Sequence, residues 1–221
     1  MMSTMRRSLA VGFCVFVGFG LSAQAILELT ESMLKAIEGR YGQQAVVDVV
    51  KWNSLLLQLQ NKDLDEQLTQ VNQFLNDYEF IDDVKHWQQP DYWATPIEFI
   101  ATHGGDCEDF SIAKYFSLRA LGVPAANLRL MYVKALRYNM AHMVLAYYAQ
   151  PNAIPLVLDN LNPEILPATQ RPDLLPVYSF NGDGLWIAKE QGQGKKVQPG
   201  GNNSLWEDLT KRMTQEFEAK D

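Results

Sequence analysis

A chain of 221 residues with 26 acids against 19 lysines and arginines, net charge −7, is a poor partner for nucleic acid or an anionic membrane surface, since both select positive charge. Its length and 47% hydrophobic content suit one domain with a core of its own. Beyond residue 25 no stretch is apolar enough to span a bilayer, so stable membrane insertion is not expected.

The first residues read as an export signal. Arg6 and Arg7 form a short basic region, Leu9 to Leu21 is almost wholly apolar, and Ala23 to Ala25 ("AQA") offers a small-x-small cleavage site after Ala25. The apolar run falls short of the ~20 residues a membrane helix needs, which disfavours the alternative of an uncleaved anchor. Cys14 follows Phe13 with no small-residue lipobox, so a lipid anchor is not expected, and the arginine pair permits a twin-arginine route without requiring one. Removing residues 1–25 takes two arginines and no acid, leaving net charge −9 over 196 residues. The expected destination is an oxidising compartment outside the cytoplasm. Cys107 is then the lone cysteine in an oxidising environment, which marks it as a reactive thiol or as a small buried hydrophobe.

Three amphipathic segments come next: Leu29 to Tyr41, Ala45 to Leu59 and Leu64 to Tyr78, broken at Tyr41–Gly42 and at Asn61 to Asp63. "FIDDVKHWQQPDYWATP", from Phe80, is aromatic and aperiodic and reads as an ordered loop. Within it Trp87, Tyr92 and Trp93 read as packing residues in preference to a substrate cleft. His86, among these aromatics, reads as surface packing. Thr95 and Pro96 open a short helix as N-cap and first turn, ending at Gly104–Gly105. His103 closes that helix, where a cation complements the helix dipole. Asp106 caps a second helix that begins at Cys107 and carries Ile112, Ala113, Phe116 and Ala120 on one face, stopping at Leu121–Gly122.

After Pro124 the pattern turns to strands: Leu128 to Val133, His142 to Tyr148, Ile154 to Asp159, Val177 to Phe180 and Leu185 to Ala188, the last two joined by the turn Asn181 to Gly184. Residues 191–203 read as a polar, glycine-rich linker with no phosphate-loop context. Ser204 to Glu207 resembles a capping box opening a final helix with Trp206, Leu209, Met213 and Phe217 on one side. There is no internal repeat. Helices first and strands later predict an α+β fold, helices packed on an antiparallel sheet.

Strand register gives the most informative constraint on chemistry. A four-residue loop at Ala149 to Asn152 sets Tyr148 opposite Ala153 and therefore His142 opposite Asp159, with Cβ atoms ~4.5–5.5 Å apart. Asp159 would then hold one imidazole nitrogen, although a histidine alone on a strand is more often a core residue. Cys107 in the first turn of a helix faces unpaired N–H groups and the positive end of the dipole, both of which favour a thiolate. A helix-start thiol, a strand histidine and an orienting aspartate form the pattern of nucleophilic catalysis, with the Cys107 N–H as one oxyanion donor.

The acids beside the thiol oppose that reading, because negative charge disfavours a thiolate. Asp106, Glu108 and Asp109 at a helix start serve as caps. As clustered hard oxygen donors they also suit Ca²⁺, whose charge would cancel their field at the sulfur. The spacing is not that of an EF-hand.

The phrases "DYWATPIEFIATHGGDCEDFS", "LRLMYVKAL", "AHMVLAYY" and "PLVLDNLNPEILPATQRPDLLPVYSFNGDGLW" resemble the bacterial transglutaminase-like cysteine proteinases of the LapG type, over roughly residues 70–190. The resemblance implies a papain-like, transglutaminase-type core, a catalytic triad at Cys107, His142 and Asp159, and calcium dependence with acids flanking the cysteine. It implies a periplasmic endopeptidase that cuts a large surface adhesin in its N-terminal region near adjacent alanines, releasing biofilm cells. The implied inhibitory partner is the periplasmic domain of an inner-membrane cyclic di-GMP receptor. A transglutaminase or amidase with the same triad and a non-catalytic binding module are the competing readings.

Overall fold

Residues three and four apart build the helical layer. A computed structural model describes residues 29–187, 195–199 and 204–218. The export signal and residues 191–194 and 200–203 of the expected linker lie outside the described residues, as does the Phe217 side chain. Thr30 caps α1 (Glu31–Tyr41) by accepting from the Met33 N–H. α2 (Gln43–Leu59) buries Val49, Trp52, Leu56 and Leu59. α3 (Leu64–Asn76), capped by Asp63, buries Leu68, Val71 and Leu75. Trp52 donates its indole N–H to Ser117 Oγ at 3.0 Å, satisfying the one polar atom that this large side chain carries inward.

The aromatic segment is more ordered than a loop. Asp82 caps a one-turn helix, α4 (Asp83–His86), following the two-residue strand β1 (Glu79–Phe80). Thr95 and Glu98 form a reciprocal capping box on α5 (Pro96–Ala101). The chain then pairs β2 (Gly104–Gly105) in parallel with β1. A Cβ at Gly104 would lie 2.2 Å from the Glu79 carbonyl oxygen, so glycine is required for that approach.

α6 (Cys107–Ala120) is buried along most of its length and packs on α3 and on the sheet. The sheet comprises β3 (Leu128–Ala135), β4 (Met140–Tyr147), β5 (Leu156–Leu158), β6 (Leu166–Pro167), β7 (Leu174–Asn181), β8 (Gly184–Ile187) and β9 (Lys195–Pro199). It is antiparallel throughout, in the order β6-β5-β4-β3-β7-β8-β9. Residues 195–199 are therefore an edge strand paired with β8, where the sequence predicts linker. Leu130, Met143, Leu145 and Leu158 join the helices in the main core. Val133, Val144 and Val157 form a smaller cluster of their own. α7 (Ser204–Glu218) returns to pack Leu209 and Met213 into the main core. This is the α+β architecture expected, with helices packed on an antiparallel sheet, and no helix among the described residues is long and apolar enough to cross a membrane.

Candidate active site

Two close approaches seat Cys107. A Cβ at Gly105 would fall 2.3 Å from Asp109 Oδ2, so glycine lets the Asp109 carboxylate lie against the backbone just before α6. Asp109 Oδ2 accepts from the Asp106 N–H at 3.3 Å and Oδ1 from the Ala94 N–H at 2.7 Å. Asp106 has the extended backbone of an N-cap, and Cys107 is the first helical residue. On the sheet side, the β4–β5 ladder stops at Leu145–Leu158, leaving the Met143 backbone to α6. Ser111 Oγ lies 3.0 Å from both the Met143 and the Cys107 carbonyl oxygens, and the Met143 amide favours the Cys107 thiolate. Cys107 is thus tied through Ser111 to the residue that follows His142.

The thiol's own proton goes to Glu108 Oε2, 3.0 Å away. Burial pushes its pKa well above the ordinary thiol value, the charge and hydrogen bond of Glu108 and the charge of Asp106 push further, and the Met143 amide opposes. The sequence expectation that neighbouring acids suppress the thiolate is met.

His142 and Asp159 are joined directly: Nε2 lies 2.7 Å from Asp159 Oδ1, both side chains being buried. The predicted direct opposition is corrected. Pairing of Tyr147 with Leu156 makes the connection eight residues long, so His142 and Asp159 are diagonal neighbours. Tyr148 stays in register with β3, its N–H donating to the facing Asn127 carbonyl at 2.7 Å with its ring buried, and the chain turns toward β5 only beyond it. A shift of two residues preserves the face, and the pair survives it. Asp159 is further held by Arg171 Nη2 at 2.6 Å and by the Leu161 N–H at 2.9 Å. Burial raises its pKa, but the His142 hydrogen bond and charge, the Leu161 amide and Arg171 prevail and hold it at about 2. An ionised carboxylate only accepts, so His142 donates from Nε2 and keeps Nδ1 as its basic nitrogen. No hydrogen bond links Cys107 to His142 among the described residues.

The acids beside the thiol belong to a larger group. Asp83, Asp106 and Asp109 bring carboxylate oxygens within 4.8 Å of one another, as do Asp83, Asp91 and Glu108. Asp83 Oδ1 and Asp106 Oδ1 are buried with no hydrogen-bond partner. Burial and then the charges of Glu108 and Asp109 push Asp106 up to about 10. Burial lifts Asp83 to about 6 against the pull of the Tyr92 amide. Orphaned carboxylate oxygens inside a cluster of acids fit a hard cation, which takes six to eight oxygen ligands.

The family model of the bacterial transglutaminase-like cysteine proteinase BTLCP matches residues 43–188, from the start of α2 past the end of β8, enclosing Cys107, His142 and Asp159. The chain belongs to this family of cysteine proteinases. Among solved structures, Legionella pneumophila LapG is similar in an EGTA-treated form (43% identity, TM-score 0.72, covering 83% of this chain and 96% of that one). Its calcium-bound form is similar too (42% identity, TM-score 0.72, 83% and 98% coverage). None of the curated proteins compared matches significantly.

In this BTLCP member, sequence reasoning missed Asp83, Asp91, Arg171 and Tyr132. Tyr132 is the cross-strand partner of Met143 and stacks on Tyr178 with ring centroids 5.0 Å apart. Its phenol is pushed up to about 12 by burial, then by the charge of Glu108. The predicted packing residues hold their roles: Trp93 stacks on Phe180 at 5.4 Å, and Trp87 lies against Tyr92 at 4.7 Å. His86 meets Trp87 edge-on and hydrogen-bonds Thr102 Oγ1 at 2.8 Å. His103 follows the C-cap Thr102 of α5 in the left-handed region at φ 64, closes the helix by donating its N–H to the Ile100 carbonyl at 3.2 Å, and turns its ring toward Asp48 at 4.0 Å.

Proposed function

We propose that this chain is an exported, calcium-dependent cysteine endopeptidase acting through Cys107, His142 and Asp159. The observation that carries the reading is the buried His142–Asp159 pair beside Met143, which Ser111 ties to Cys107, in a chain of a cysteine proteinase family. His142 Nδ1 takes the thiol proton, and Cys107 Sγ attacks the scissile carbonyl while the Cys107 N–H supports the developing oxyanion. Protonated His142 then gives its proton to the leaving amine, and water activated by the same nitrogen hydrolyses the thioester. Asp159, fixed by Arg171, keeps the imidazole in the tautomer and orientation this needs.

Asp106, Glu108, Asp83 and Asp91 would hold Ca²⁺ through carboxylate oxygens. Asp109, although part of the cluster, has both oxygens engaged by backbone amides and would orient the Asp106 segment. Bound Ca²⁺ supplies positive charge that offsets the acids raising the thiol pKa. The calcium-bound and EGTA-treated forms of Legionella pneumophila LapG support this part of the reading.

The basic, apolar and small-residue sequence of residues 1–25 supports export to the periplasm. The LapG likeness supports a large surface adhesin as substrate, cut near adjacent alanines in its N-terminal region to disperse a biofilm, and sequestration by a periplasmic cyclic di-GMP receptor domain as control. The test is incubation of an alanine-containing adhesin N-terminal segment with the wild type and Cys107→Ala, with and without a primary amine. Cleavage fragments from the wild type alone, without amine incorporation, support the protease. Amine-linked product supports a transglutaminase, and shedding that persists with Cys107→Ala supports a non-catalytic binding module.

A further inference from the structure

The 92–95 segment lies between the acid cluster and α7. On one side the Tyr92 N–H donates to Asp83 Oδ2 at 2.5 Å, and the Ala94 N–H to Asp109 Oδ1 at 2.7 Å. On the other side Arg212 Nη2 donates to the Trp93 carbonyl at 2.5 Å, and Thr95 Oγ1 donates to Glu216 Oε1 at 2.7 Å. The Trp93 carbonyl and the Ala94 N–H belong to one planar peptide, pointing opposite ways. Arg212 and Asp109 therefore grip the two ends of a single peptide group. The same guanidinium lies 4.5 Å from the centre of the Tyr92 ring, and its Nη1 pairs with buried Glu98. Glu98 in turn accepts from the Tyr92 hydroxyl at 2.9 Å and the Thr95 N–H at 2.9 Å.

We infer that Arg212 is a positioning residue of the cation site, setting Asp109 through the Trp93–Ala94 peptide and Asp83 through Tyr92. The inference rests on the calcium reading of the acid cluster. An arginine fork serves here because one rigid plane meets a carbonyl and a carboxylate at once. Partners behind first ligands fix ligand orientation, and their loss typically lowers metal affinity 10–100-fold.

The test measures Ca²⁺ binding to the purified protein by titration calorimetry at 25 °C, beside thermal unfolding in EGTA. Arg212→Lys keeps a charge beside Glu98 but loses the fork. It is expected to bind Ca²⁺ about tenfold more weakly, with a melting temperature in EGTA near that of the wild type. Asp208→Asn removes only the exposed Arg212 partner 2.8 Å from Nε and should leave Ca²⁺ affinity unchanged. Should Arg212→Lys be unfolded at 25 °C, Glu98→Gln/Arg212→Met, which removes the buried pair together, is measured instead with the same expected loss. Unchanged affinity in the folded Arg212 variant overturns the inference and leaves the calcium reading standing. Absence of Ca²⁺ binding by the wild type overturns both.

Discussion

Arg171 offers Asp159 one nitrogen at 2.6 Å while gripping Asp173 with Nε at 2.9 Å and Nη2 at 2.8 Å, so its guanidinium cannot swing away from the orienting aspartate. Truncating one partner of a buried ion pair leaves the other charge uncompensated. Arg171→Met is therefore expected to lose about 3–5 kcal/mol of stability, read from urea denaturation at neutral pH. Asp159→Asn keeps the shape of the side chain but removes the charge that fixes the His142 tautomer. It should lower kcat about 10²–10⁴-fold with little change in KM; an unchanged kcat would remove Asp159 from the mechanism. Little of this was visible residue by residue. Cys107 stood out as the lone cysteine beyond the expected export signal, and His142 and Asp159 by register, whereas Arg171 lies in coil where an "RPD" tripeptide carries no pattern. Asp83 and Asp91 are acids in an aperiodic segment, and only the close packing of α4 and residues 92–95 against the start of α6 gives them a meaning.

At the scale of elements, α6 carries a second buried charge. Lys114 is 1% exposed, and burial lowers its pKa to about 7 despite the attraction of Asp159. Below pH 7 both folded and unfolded chains hold the proton and the buried charge costs its full amount. Between about 7 and the ordinary value of 10.5 the folded chain releases a proton that the unfolded chain keeps, so stability rises with pH. Lys114→Met should therefore stabilise most near pH 6, by roughly 2–4 kcal/mol, with the gain fading by pH 10; a gain independent of pH would contradict the assignment. Glu216 of α7 has the opposite sign. Burial, opposed by the Thr95 hydroxyl and reinforced by Glu98, raises it from 4.5 to about 8. The folded chain holds a proton across that window that the unfolded chain has lost, so stability falls as pH rises through it. Glu216→Gln should gain melting temperature relative to wild type progressively from pH 5 to pH 9, and a constant difference would show that Glu216 does not titrate in the docked helix. The long helices were legible because apolar residues recur at helical spacing over eleven residues or more. α4 has four residues and no period to show, and β9 gains its place by backbone pairing at the sheet edge, so its polar residues and flanking glycines read as linker.

For the whole molecule, one device joins the elements: a helix start and a strand edge share the Met143 backbone, and a segment braced by α7 feeds the acids around that helix start. The two-residue difference in register shows why the His142–Asp159 pair was readable while the loop was not. A two-residue shift changes which residues are opposite but not which share a face, so the His142–Asp159 pairing followed from alternation alone, whereas the length of the connection is set by where β4 and β5 stop pairing. The acids that argue against a reactive thiol then become the reason the enzyme would need a cation: Glu108 both raises the thiol pKa and accepts its hydrogen bond, and its carboxylate lies within 4.8 Å of those of Asp83 and Asp91. The most direct measurement is the initial rate of cleavage of an alanine-containing adhesin segment as free Ca²⁺ is raised from an EGTA-chelated baseline. The account predicts no cleavage in EGTA, a saturable recovery on adding Ca²⁺, and no recovery for Cys107→Ala. Equal rates in EGTA and in Ca²⁺, or cleavage by Cys107→Ala, would contradict it.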